Sequence, residues 1–166
     1  MRYRTLGLFG ASLAIVVGAA GWVNAQSKPS PLEGAWSIQQ ITFAKPPANP
    51  PNKPTGLILF VGNHYSTQFV ADSSRPNFGE GGADKATADQ LRAIWGPLTS
   101  NGGTFTVSGN TIRTVATVAK NPAVMAGGNW NEMTFTLNGD TLVLTSTRNN
   151  NGPVANPQTI RLTRAK

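Results

Sequence analysis

The clearest pattern in the chain lies in residues 55–71, TGLILFVGNHYSTQFVA, where side chains alternate on both sides of a Gly-Asn-His turn. That period of two, folded back at a tight turn, predicts a β-hairpin. Pairing outward from the turn puts Ile58, Phe60, Tyr65, Thr67 and Phe69 on one face. Leu57, Leu59, Val61, His64, Ser66 and Gln68 fall on the other. Two later stretches repeat the design. Residues 103–119, GTFTVSGNTIRTVATVA, are expected to turn at Gly109-Asn110, with Phe105, Val107, Ile112, Thr114, Ala116 and Val118 sharing a face. Residues 130–147, WNEMTFTLNGDTLVLTST, are expected to turn at Asn138-Gly139, with Met133, Phe135, Leu137, Leu142 and Leu144 together.

Single strands flank these hairpins. The first is AWSIQQITFA (35–44), whose alternation breaks at Gln39-Gln40 and so predicts a bulge. The last is TIRLTR (159–164). KPPANPPNKP (45–54) is a loop, because proline supplies no N–H to a sheet interior. DSSRPNFGEGGADK (72–85) is a Gly-rich loop. TADQLRAIWGPL reads as a short helix, opened by a Thr87/Gln90 capping box and stopped by Gly96-Pro97. Eight strands in antiparallel succession, with one apolar side each and one short helix after the third, predict an all-β up-and-down barrel. A two-sheet sandwich is the competing arrangement. Hairpins that follow one another without a long crossover favour the barrel.

The N-terminus changes the picture. Arg2 and Arg4 precede an apolar run from Leu6 to Ala20, and VNA ends at Ala25. This is the layout of a secretory signal peptide, residues 1–25, cleaved after Ala25. Its apolar run is short for a membrane span and carries glycines, so no stable membrane insertion is expected after cleavage. Residues 26–31 form a polar lead-in, and 32–166 suit one domain with one core. The chain has no Cys, which excludes a lipidated cysteine and a disulfide framework. The expected location is secreted or periplasmic.

The formal net charge is +7, but Lys and Arg are scattered singly along the mature region. No basic run interleaves with aromatics, so nucleic acid is not an expected partner.

Gly34-x-Trp36 opening the first strand, with Arg164 near the end of the last, resembles the lipocalin-like, or calycin, pattern. GLILF from Gly56, RPNF at 75–78, TADQLRAIW and NGDTLVL at 138–144 narrow the resemblance to small bacterial and fungal lipocalin-like domain proteins. It covers roughly residues 32–164. The resemblance implies a barrel closed at one end by Trp36, with Arg164 packed across its ring. Arg161 is the second match for that role. A guanidinium stacks well on an indole face.

Candidate chemistry is sparse. His64 is the sole His, sits in a turn and has no evident partner, so it is read as a turn residue. One His and no Cys give no transition-metal site, and no cofactor is expected. The seven mature carboxylates lie mostly in loops or at the helix start, without a pair spaced for acid–base work. GEGG (79–82) lacks the lysine and setting of a phosphate loop.

What remains is the inward list. Phe60, Tyr65, Thr67, Phe69, Phe105, Thr114, Met133 and Phe135 are the candidate ligand-binding residues of the wall. Arg75, Phe78 and Trp95 are candidates for its rim or lid. These predict an apolar pocket with a few orienting groups, against the alternative of a filled core. The leading expectation is non-catalytic binding of a small apolar molecule. A second is a cofactor-free cyclase or isomerase, with Tyr65 as proton donor and Arg75 as anion partner. A third is a structural or partner-binding envelope protein with a filled barrel, docking through the Pro-rich loop.

Overall fold

The structure is a computed structural model that describes residues 30–166. The signal-peptide reading of residues 1–25 therefore lies outside the described residues. Eight long strands wind antiparallel, each beside the next: β1 (Gly34–Phe43), β2 (Thr55–Val61), β3 (His64–Val70), β4 (Leu98–Ser108), β5 (Thr111–Ala119), β6 (Trp130–Asn138), β7 (Thr141–Asn149) and β9 (Gln158–Arg164). A two-residue strand, β8 (Gly152–Pro153), pairs only with the end of β7. β6 pairs with β7, and β9 pairs with both β7 and β1, so the sheet closes on itself. Closure leaves no long strand edge unpaired. The helix α1 (Ala88–Trp95) follows the third strand, as its capping box predicts. The Thr87 hydroxyl accepts from Gln90 N–H at 3.2 Å, and Gln90 Oε1 accepts from Thr87 N–H at 2.8 Å.

Three bulges interrupt the register, on β1, β5 and β7, the last leaving Thr147 as the extra residue opposite Glu132 and Met133. On β1, the register shifts between Ile38 and Gln40, so Trp36, Ile38 and Ile41 all reach the core. The second is on β5, where Gly102 faces Val118 and Gly103 faces Ala116, leaving Thr117 as the extra residue. This reverses the facing of the strand end and leaves Val118 65% exposed, although simple alternation places it inside. Two boundaries also differ from the expected pattern. β4 begins at Leu98 rather than near Gly103. The last hairpin turns at Gly139-Asp140, since Asn138 is already paired with Thr141.

The barrel has two unlike ends. At one, the hairpin turns Gly62-Asn63, Gly109-Asn110 and Gly139-Asp140 each join two strands through two residues. Each starts with a glycine at positive φ, between 54° and 59°, the backbone that a twisted two-residue hairpin needs. At the same end, β1 starts and β9 finishes. Trp36 is wholly buried there, among Leu32, Ile112, Leu142 and Leu162, and its indole N–H donates to Leu32 O at 2.7 Å. The Arg164 guanidinium lies 4.2 Å from the Trp36 ring centroid. Its Nη1 donates to Glu33 O at 2.8 Å, and its Nε stands 3.4 Å from Asp140 Oδ1. Gly34 has φ +121°, and a Cβ there would stand 3.0 Å from Arg164 Nη1. The glycine of Gly-x-Trp therefore gives the strand its opening bend and leaves room for the arginine over the ring. Arg161 projects to the opposite, exposed side of β9.

The other end carries the long connections, 44–54, 71–97, 120–129 and 150–157. They are tied by polar contacts rather than a core. Asn156 exchanges two hydrogen bonds with the Lys45 backbone, at 2.8 and 2.9 Å. Asn52, in the Pro-rich loop, donates its N–H to Ala71 O at 3.0 Å.

Candidate functional site

Below the packed end, the barrel interior widens into a cavity of about 220 Å³. Its inner wall is apolar: Ile58 and Phe60 from β2, Phe69 from β3, Met133 from β6, Leu144 from β7 and Ile160 from β9. Phe60 is fixed from behind by Phe105, whose ring meets it edge-on with centroids 5.0 Å apart. Toward the long loops the same inward rows turn polar. Thr67, Thr99, Asn101, Asn131, Ser146 and Gln158 line this half. Continuing the period of two explains the switch: Phe105 and Gly103 lead to Asn101 and Thr99, and Leu142 and Leu144 lead to Ser146.

Tyr65 and Thr114 mark the boundary between the two halves. Both are buried, and the Thr114 hydroxyl stands beside the Tyr65 phenol. Burial pushes the Tyr65 phenol above its ordinary pKa, partly offset by that hydroxyl. The Thr114 hydroxyl also reaches Asn131 O at 3.4 Å, across the β5–β6 pair. Among the described residues no charged side chain lines the cavity.

Of the wall residues expected from the sequence, Phe60, Tyr65, Thr67, Phe69, Thr114 and Met133 meet around the cavity. Phe105 is buried but stands behind Phe60 rather than on the cavity surface. Phe135 is half-buried, packed onto the core away from the cavity surface, in the row it shares with Leu144. Arg75 and Phe78 are not part of the lining. Arg75 is exposed and donates from Nη1 to Ile94 O at 3.1 Å, so its charge serves the carbonyl end of α1. Lys120 does the same from the other side, through its Nζ to Trp95 O, Gly96 O and Leu98 O. Trp95 is 47% exposed beside Lys120 and does not reach the cavity.

Sequence reasoning missed Ile160 and the polar lining residues Thr99, Asn101, Asn131, Ser146 and Gln158; the polar five share one signal. Their signal was position, not chemistry. Each continues an inward row by two residues, and each is hydrophilic enough to pass for loop or outer face.

Among the described residues no cluster of three or more His, Cys, Asp or Glu could hold a metal ion. No helix among them is long and apolar enough to cross a membrane. No protein-family model, curated protein or solved structure matches this chain. The closed eight-stranded antiparallel barrel is compatible with a calycin-type fold.

Proposed function

We propose that this chain is an exported, lipocalin-like binding protein that holds one small, largely apolar molecule in its barrel and releases it unchanged. The observation that carries this reading is the cavity of about 220 Å³ with an apolar inner wall. An apolar cavity of about 150 Å³ takes up benzene, so by that scale this one suits roughly nine non-hydrogen atoms. Carriage is favoured over catalysis by the lining itself. Tyr65 is the one titratable side chain on the cavity wall among the described residues, and its raised pKa keeps it neutral at neutral pH. Arg75, the imagined anion partner, faces α1 instead. General acid–base chemistry needs a second group within hydrogen-bond reach of the substrate. Export is supported by the N-terminal pattern of Arg2, Arg4, the apolar run and Ala25.

The test is calorimetric titration of the purified protein with n-hexanol, beside a Thr67→Trp variant that fills the cavity. One-site saturable binding that the variant loses, while keeping the native circular dichroism, is the expected result. Binding that survives the filled cavity would place the ligand elsewhere and end this reading. Hexanol recovered chemically altered would end the non-catalytic part of it.

A further inference from the structure

The polar half of the cavity has more hydrogen-bonding capacity than the protein uses. Thr67, Thr99, Asn101, Asn131, Ser146 and Gln158 all line it, and none of their side chains bonds to another group among the described residues. They are not stranded in a dry interior: no buried side-chain nitrogen or oxygen among the described residues lacks a partner. These groups are therefore open to whatever fills the cavity. A set of inward polar groups is costly to leave unmatched once a ligand displaces water from them.

The chemistry of the set is specific. Three hydroxyls and three carboxamides each offer both donors and an acceptor, and none carries charge. A carboxylate or ammonium entering here would be desolvated with no counter-charge on the wall. A hydroxyl, which also donates and accepts, fits every one of the six. The same chemistry continues past the rim. Asn131 is shared with a surface groove formed by Asn129, Asn149, Asn150 and Asn151. Asn101 is shared with a second groove, beside Ser100, Asn121 and Lys120, whose ammonium is taken up by the Trp95, Gly96 and Leu98 carbonyls. The room for polar groups is therefore larger than one hydroxyl requires.

We infer that the ligand is a neutral amphiphile whose apolar end sits on Phe60 and whose polyhydroxyl head, such as a sugar or polyol, is held by Asn101, Asn131 and Gln158 at the mouth. This rests on the barrel being a binding site at all, and it adds the class of head group that the site selects. The Asn-rich segment 149–151 is the outer part of the head-group site. The apolar inner wall sets the tail: the whole cavity suits roughly nine non-hydrogen atoms, so a tail of about six carbons leaves about three for the head, and the rest of a sugar lies on the grooves at the rim.

The experiment compares n-hexyl β-D-glucoside, n-hexanol and hexanoate, titrated calorimetrically into the purified protein at neutral pH. The glucoside is expected to bind at least tenfold more tightly than hexanol, with hexanoate the weakest. In an Asn101→Leu/Asn131→Leu variant, the ratio of glucoside to hexanol Kd should move toward one. The wild-type ratio decides the matter even if that variant misfolds. Hexanol equal to or tighter than the glucoside would overturn the head-group assignment and leave the apolar carrier standing. Hexanoate as the tightest ligand would overturn it too, by showing that Lys120 leaves its carbonyl partners to meet a charged head at the mouth. No saturable binding of any of the three would overturn both readings together.

Discussion

The two ends of this barrel are built from the same eight strands and do opposite things. At the hairpin end, three two-residue turns hold the strands close, and Trp36, Leu32, Ile112, Leu142 and Leu162 fill the space with no measurable exposure. At the loop end, the inward positions carry Thr, Asn, Ser and Gln, and a cavity remains. The strand count alone permits either outcome, since eight strands enclose a space that side chains can just fill. Side-chain size and polarity along each inward row decide it. Large apolar groups gain by excluding water; short polar groups gain by keeping it or by trading it for a ligand. Stability and binding are thus separated along one axis.

The sharpest way to break that division is to delete a side chain at each end. Trp36→Ala should cost about 3–5 kcal/mol, as large aromatic core deletions do. That is a large part of the roughly 5–15 kcal/mol that holds a domain together. Asn131→Ala, at the mouth, should cost less than about 0.5 kcal/mol, because its side chain makes no hydrogen bond among the described residues, only its backbone O accepting from Thr114. Urea unfolding of both variants is the check. Comparable losses would mean that the mouth is part of the folding core.

How much of this was visible in the sequence follows from the same division. The hairpin end was largely legible, because Gly109-Asn110 and the Gly34-x-Trp36 element are local signals, and the large apolar residues announce their facing; His64, expected in the turn, is instead the first residue of β3, paired with Val61 across the Gly62-Asn63 turn. The bulge near Gln39 was also legible, as a break in alternation. The loop end was not. Thr99 and Asn101 follow Gly96-Pro97 and precede Gly102-Gly103, a setting that reads as loop until pairing with β3 makes it strand. Val118 was placed inside because the bulge at Thr117 has no mark in the sequence; it exists only in the pairing with β4. Ranking inward residues by hydrophobicity discarded Ser146 and Gln158, the polar continuations of Leu144 and Ile160. Arg75 and Phe78 were sequence neighbours of the predicted helix, but the destination of Arg75, the Ile94 carbonyl, is a tertiary fact.

A smaller effect sharpens what the plug consists of. Two arginines stand at the same distance from tryptophan rings: Arg164 over Trp36 and Arg113 over Trp130, both 4.2 Å to the centroid. Trp36 is wholly buried at the closed end, whereas Trp130 is half-buried on the outer wall. Arg113 is also held by Glu132, through bonds of 3.0 and 2.7 Å. A desolvated cation–π pair is worth about 2 kcal/mol, against about 0.5–1 kcal/mol at an exposed site. Double-mutant cycles should therefore give the larger coupling for Arg164–Trp36 and the smaller for Arg113–Trp130. Arg161–Trp36 should show none, since Arg161 faces away. Equal couplings for the two stacked pairs would mean that distance alone sets the interaction, and burial at the closed end adds nothing.

The smallest effect concerns Tyr65, which sits where the packed half meets the open half. Its pKa is raised chiefly by burial, with the Thr114 hydroxyl pulling the other way. A phenol whose pKa is higher in the folded state keeps its full contribution to stability below the unfolded value of about 10, and loses it as the pH climbs past that point. The unfolded chain then ionises first and draws the equilibrium toward itself. Tyr65→Phe cannot ionise, but it gives up the polar contact with Thr114, worth at most about 0.5–1.5 kcal/mol. The variant should therefore be less stable than the parent at pH 7, and the gap should narrow or reverse near pH 10.5. Urea midpoints at the two pH values test this, in protein lacking residues 1–25, where Tyr65 is the sole tyrosine. The phenolate absorbance of the same protein reports the folded pKa directly. A gap that stays constant with pH would mean that Tyr65 is as well solvated when folded as when unfolded. The boundary between the dry plug and the wet mouth would then lie deeper in the barrel, between Phe60 and Trp36.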